Sequence, residues 1–216
     1  LVAVAVIAEK LLNKRNGNDS KILTTRKVAM IGMFSAVAGI FMILELPMPF
    51  APSFYKIDLS EVPILIGCFA MGPAAGIIIE AMKILLNFII SGTVTAGVGE
   101  LANFAIGCSM VLPAGLIYRY HKTRKNAVLG MAAGTLVMAA IGGLLNAFVL
   151  LPAYAALFGG MDAIIGMGTA VNKNITSVQS FVLLSVVPFN LVKGVIVSLV
   201  TFLLYKHVSR VLIHNA

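Results

Sequence analysis

The sequence predicts an all-α membrane protein with six transmembrane helices, and three observations carry that prediction. Sixty per cent of the 216 residues are hydrophobic and 11% are charged, with a mean hydropathy of +1.01, the balance of a chain solvated mostly by lipid. The apolar runs are continuous and not alternating, which favours helices, whose backbone polar groups are satisfied internally, over a β-barrel. The basic residues sit in short segments beside those runs, where they set membrane orientation. That placement argues against reading the formal charge of +8 as a nucleic-acid surface.

Residues 1–27 are expected to form a basic cytoplasmic segment. Leu1 to Ala8 is too short to span and lacks the basic stretch that precedes a secretory signal; Lys10, Lys14, Arg15, Lys21, Arg26 and Lys27 follow it. The first span is predicted over 28–46. Pro47, Pro49 and Pro52 then stop any helix, because proline lacks an N–H and fixes φ, and the chain to Glu61 reads as a semi-rigid outer loop. Residues 62–90 are too long for one ordinary span, and Gly72-Pro73 divides them into 62–71 and 73–90. The division also keeps Arg119, Lys122, Arg124 and Lys125 on the cytoplasmic side. The first half rises only ~15 Å at 1.5 Å per residue, so the proline-rich loop is expected to fill the space above it. Further spans are predicted over 99–120, 127–151 and 181–205, with the membrane domain covering 28–207 and a cytoplasmic tail at 208–216. Both termini then lie inside, with twelve of the sixteen Lys and Arg residues. Residues 152–180 read as a long outer loop, whose Gly159, Gly160, Gly166 and Gly168 suit either a mobile lid or an irregular connector.

Within the spans the polar residues are few: Glu80, Lys83, Asn87, Glu100, Asn103, Asn146, Asn190 and Lys193. An ionisable group at membrane depth is costly and marks a pathway or a ligand site. Glu80 and Lys83, at i and i+3, either neutralise each other or serve a ligand. Asn190 and Lys193 share that spacing without an acid, so Lys193 needs an acceptor from a ligand or another helix, with Glu80 and Glu100 the expected structural partners. No GxSxG, HExxH or paired-Asp pattern supplies a catalytic set. An intramembrane enzyme using Glu80 or Glu100 as acid or base is the alternative class, and it lacks a second catalytic group. The chain has no GxxxxGK[ST] loop, so any uphill transport draws its energy from a partner. Cys68 and Cys108 lack CxxC spacing, and His121, His207 and His214 fall in the flanks, so neither a disulfide nor a metal site is expected. Ala29, Gly32, Ser35, Ala36 and Gly39 recur at three- and four-residue spacing, which permits close helix approach either within the bundle or to a partner.

Five strings, PFAPSFYKIDLSEVPILI, GPAAGIIIEAMKILLNFIISGT, GVGELANFAIG, LLNAFVLLPAYAALF and VPFNLVKG, occur in this order between residues 28 and 205. Together they resemble the riboflavin-specific S component of energy-coupling-factor (ECF) transporters. The resemblance implies a six-helix S-component bundle in a prokaryotic plasma membrane. It would bind riboflavin near the outer side, without a cofactor, and dock on a transmembrane coupling subunit driven by two cytoplasmic ATPases. It implies that Asn146, Asn190 and Lys193 hydrogen-bond the flavin and that Gly32 and Ala36 face the coupling subunit. The residue chemistry agrees: the pyrimidine edge of an isoalloxazine alternates carbonyl acceptors with an N–H donor, which an Asn amide and a Lys ammonium complement. Glu100 and Asn103 are candidates for the ribityl hydroxyls, and Pro47, Pro49 and Phe50 for an outer-loop gate. An S component for another vitamin or a flavin nucleotide is the alternative within the class. A phosphate would need outer cations, for which only Lys56 and Lys173 are available.

Overall fold

A computed structural model describes residues 2–15, 23–52, 54–93 and 95–213, with side chains placed through residue 205. Lys21, His214 and the side chains of His207 and Arg210 therefore lie outside the described residues. The helices are α1 (Val2–Arg15), α2 (Thr25–Ile43), α3 (Glu61–Met71), α4 (Pro73–Ser91) and α5 (Val98–Tyr120). They continue with α6 (Arg124–Leu157), α7 (Met161–Val171) and α8 (Val178–Tyr205, helical on to Ile213). Between α2 and α3, β1 (Leu46–Pro47) pairs antiparallel with β2 (Lys56–Ile57).

Five of the described helices, α2, α4, α5, α6 and α8, are long and apolar enough to cross a membrane, where the sequence predicted six spans. The exception is α3, with 11 residues, of which all but Ala70 are buried. It packs against α2, α4, α5 and α8, so its short length is covered by neighbouring helices and its backbone is not left to lipid. Gly72 ends α3 at φ 116°, a conformation that L side chains rarely adopt, and Pro73 opens α4, where its missing N–H costs nothing.

The fifth predicted span runs on past Pro152 to Leu157, and the sixth, predicted through Pro188, begins three residues earlier than expected, at Val178. Proline removes a helical donor and its ring crowds the carbonyl four residues back, yet α6 runs through Pro152 and α8 through Pro188. In each, a π-helical turn, Asn146–Leu150 and Val182–Val186, ends two residues before the proline, and the widened turn contains the crowded carbonyl. The expected outer loop of 152–180 is accordingly helical over much of its length. Ile164 of α7 is buried, and Gly168 packs where an added Cβ would meet the Phe181 ring at 2.7 Å.

The N-terminal segment also differs from a solvated basic stretch. Ala5, Glu9 and Asn13 of α1 are buried at four-residue spacing. Glu9 Oε2 accepts from the Ala74 N–H at 3.0 Å, at the positive end of the α4 dipole. Arg119 donates through Nε and Nη2 to Asn13 Oδ1 at 3.1 and 2.8 Å.

Candidate functional site

A cavity of about 450 Å³ opens at the end of the bundle away from Arg119 and Arg124. Its walls come from the end of α2, the last turns of α4, the first turns of α5, the later part of α6, the middle of α8, and the loop between β1 and α3. Asn146, Asn190, Lys193, Glu100 and Asn103, the five ligand-site candidates read from sequence, all line it. Pro47, Pro49 and Phe50 are exposed and lie outside the lining; the same loop contributes Phe54, Tyr55, Lys56 and Asp58 instead. The hairpin explains the exchange, because pairing Pro47 with Lys56 carries the returning strand over the cavity.

The two asparagines are held alike. Asn146 Nδ2 donates to the Gly142 carbonyl at 2.8 Å and Asn190 Nδ2 to the Val186 carbonyl at 2.9 Å, each four residues back in its own helix. Each amide keeps a second N–H and its carbonyl lone pairs for other partners. The Tyr55 hydroxyl donates to Asn146 Oδ1 at 2.6 Å. Asn190 lies close against Gly142, where an added Cβ would come within 2.9 Å of its Nδ2.

Lys193 finds its acceptors elsewhere than the sequence suggested. Its Nζ is 2.9 Å from Asp58 Oδ2 and 3.2 Å from Glu61 Oε1, whereas Glu100 accepts from Thr93 Oγ1 at 3.0 Å and Glu80 pairs with Lys83 at 2.8 Å. The loop before α3 lowers two acids onto α8, a proximity that no local spacing encodes. Burial alone would push the Asp58 carboxyl up, but Lys193, Lys83 and a Ser60 hydrogen bond outweigh it and hold the group at about 2. Lys83 also lies 3.3 Å from Glu61, so the i, i+3 pair on α4 is neutralised internally and shares a further acid.

Tyr55, Asp58 and Glu61 are the site residues that sequence reasoning missed. A signal was present: Asp58 and Glu61 are two acids beside one nearby cation, Lys56, while the span lysines Lys83 and Lys193 share one adjacent acid, Glu80. Balancing buried charge would have joined them. Along the small-residue stripe of α2, Ser35 and Gly39 are buried and Gly32 and Ala36 are exposed. Among the described residues no group of three or more His, Cys, Asp or Glu side chains could hold a metal ion.

Apolar span-length helices around a polar-walled cavity, covered at one end by a loop, define a multi-pass membrane protein built to bind a small solute. Residues 26–205 match the family described as ECF transporter, substrate-specific component, and the chain belongs to that family. It is 34% identical over 187 residues to "Riboflavin transporter RibU" of Staphylococcus aureus (strain TCH60), covering 87% of this chain and 92% of that protein. It is 30% identical over 184 residues to "Riboflavin transporter FmnP" of Bacillus subtilis (strain 168), covering 85% and 92%. A solved structure described as the S component of a bacterial ECF transporter superposes with a TM-score of 0.69 at 34% identity, covering 87% of this chain and 97% of that one. The relatives are transporters, and the chain is not an enzyme, which sets aside an acid–base role for Glu80 or Glu100.

Proposed function

We propose that this chain captures riboflavin at the outer face of a prokaryotic plasma membrane and delivers it inward with a transmembrane coupling subunit and two cytoplasmic ATPases. The observation that carries the reading is the convergence of Asn146, Asn190 and Lys193, from two helices, on one cavity wall. Amide and ammonium groups there match the acceptor and donor pattern of the isoalloxazine pyrimidine edge. Phe54, Tyr154, Phe158 and Phe189 suit the apolar end of the ring. Glu100 and Asn103 face the ribityl hydroxyls, and the loop carrying Pro47, Pro49 and Phe50 serves as the gate. Relatives named riboflavin transporters support the same ligand.

The basic cluster at the opposite end of the bundle, Arg119, Lys122, Arg124 and Lys125, supports an outward-facing cavity and cytoplasmic termini. Of the two outer cations, Lys56 lines the cavity but is paired with Glu45, which favours the uncharged vitamin over a flavin nucleotide. Gly32 and Ala36 form the face for the coupling subunit. The test is the absorbance spectrum of the purified protein together with quenching of riboflavin fluorescence. A flavin spectrum and saturable quenching are expected; binding of a different vitamin without riboflavin would overturn the ligand.

A further inference from the structure

Beneath the cavity, Asp58, Glu61, Glu80, Lys83 and Lys193 are all buried and form one chain of contacts. Glu61 Oε1 is its middle link, 3.2 Å from Lys193 Nζ and 3.3 Å from Lys83 Nζ. Lys193 is held on its other side by Asp58 Oδ2 at 2.9 Å, and Lys83 by Glu80 Oε1 at 2.8 Å. An ammonium carries three N–H donors on a flexible stem. Two of those on Lys193 have carboxylate partners, which leaves one for the cavity that Lys193 lines.

We infer that Asp58 and Glu61 are positioning residues of the ligand site: the two carboxylates aim the remaining Lys193 donor at a ligand acceptor. The inference rests on Lys193 being a flavin donor, as proposed above. Charge counting separates aiming from bulk electrostatics. The network holds three carboxylates and two ammoniums, so Glu61→Gln and Glu80→Gln each leave two of either sign. Of these two acids, Glu61 forms an ion pair with Lys193 at 3.2 Å, whereas Glu80 pairs with Lys83. Acids acting by their summed field would give the two substitutions similar effects; acids acting by aim would not.

Riboflavin fluorescence titrations would compare the wild type with Asp58→Asn, Glu61→Gln, Glu80→Gln, Lys193→Met and the Asp58→Asn/Lys193→Met double variant, each checked for monodispersity by size exclusion. Asp58→Asn and Glu61→Gln are expected to weaken binding by about tenfold or more, and Glu80→Gln by less than about threefold. In the Lys193→Met background, Asp58→Asn should add nothing, since no donor remains to be aimed. A wild type that does not bind riboflavin overturns the functional reading and this inference with it. With wild-type binding present, equal losses from Glu61→Gln and Glu80→Gln, or a full Asp58→Asn effect without Lys193, overturn the positioning role alone.

Discussion

The Tyr55 hydroxyl donates a 2.6 Å hydrogen bond to Asn146 Oδ1 across 91 residues of sequence, tying the loop over the cavity to the π-helical turn of α6. Tyr55 is buried, with its ring centroid 4.7 Å from Phe54 and 5.2 Å from Phe189, so water does not readily replace the bond. An amide oxygen accepts two hydrogen bonds, and the tether orients Asn146 while leaving it able to accept from a ligand. Tyr55→Phe is expected to lower stability by about 1 kcal/mol and to speed riboflavin release in stopped-flow fluorescence. Unchanged melting and release would mean that the aromatic contacts alone hold the loop.

Gly142 tests the site from its supporting side. A Cβ there would lie 2.9 Å from Asn190 Nδ2 and 3.1 Å from its Cγ, closer than real Cβ contacts, so Asn190 must shift. Helix propensity runs the other way, since Ala is favoured over Gly by about 1 kcal/mol in a helix interior. Gly142→Ala is therefore expected to retain the fold and lose riboflavin affinity by about tenfold, the worth of one displaced hydrogen-bonding group at ~1.4 kcal/mol. Melting temperature and fluorescence titration together check this. Intact affinity would mean that Asn190 does not contribute to binding.

The pH response follows from Asp58. Its carboxyl is held at about 2, below the ordinary 3.8, so the stabilisation from its pairing with Lys193 is fully present above the unfolded value and lost only as pH falls through the folded one. Among the described residues no histidine lines the cavity. Protonation of Asp58 is therefore not expected to change riboflavin affinity between about pH 5 and 8, the window in which histidine would titrate. Titrations across that range check it, and a drop towards pH 5 would mean that another group controls the site.

The bundle was legible from sequence because its causes are local: apolar run length, the Gly72-Pro73 break, and basic flanks. Asn146, Asn190 and Lys193 stood out for the same reason, as polar residues inside apolar runs. The partners of Lys193 were not legible, because Asp58 and Glu61 reach it through the hairpin and the burial of α3, and tertiary geometry alone sets that approach. The extension of α6 was also hidden, since Pro152 reads as a boundary until a π-helical turn accommodates it. The buried face of α1 escaped notice because Glu9 and Asn13 resemble solvent-facing residues in a basic segment until Ala74 and Arg119 are seen to hold them.

Docking and binding are expected to separate on α2. Gly32 and Ala36 are exposed on that helix, and an added Cβ at Gly32 would meet nothing within 4 Å, so larger side chains fit there without disturbing the bundle. Ser35 and Gly39 are buried, and Gly39 lies where a Cβ would touch Leu86 at 3.4 Å. If the exposed pair receives the coupling subunit, Gly32→Leu/Ala36→Leu keeps another helix from approaching closely, while the cavity, to which α2 contributes Met42 near its end and neither Gly32 nor Ala36, keeps its lining. Riboflavin affinity of the purified double variant should match the wild type, and ATP-driven uptake by vesicles containing the full transporter should fall by at least about tenfold, the loss of ~1.4 kcal/mol of docking energy. Gly39→Leu should instead reduce stability, because its side chain has no room between α2 and α4. Normal uptake by the Gly32/Ala36 variant would move the docking face to another helix.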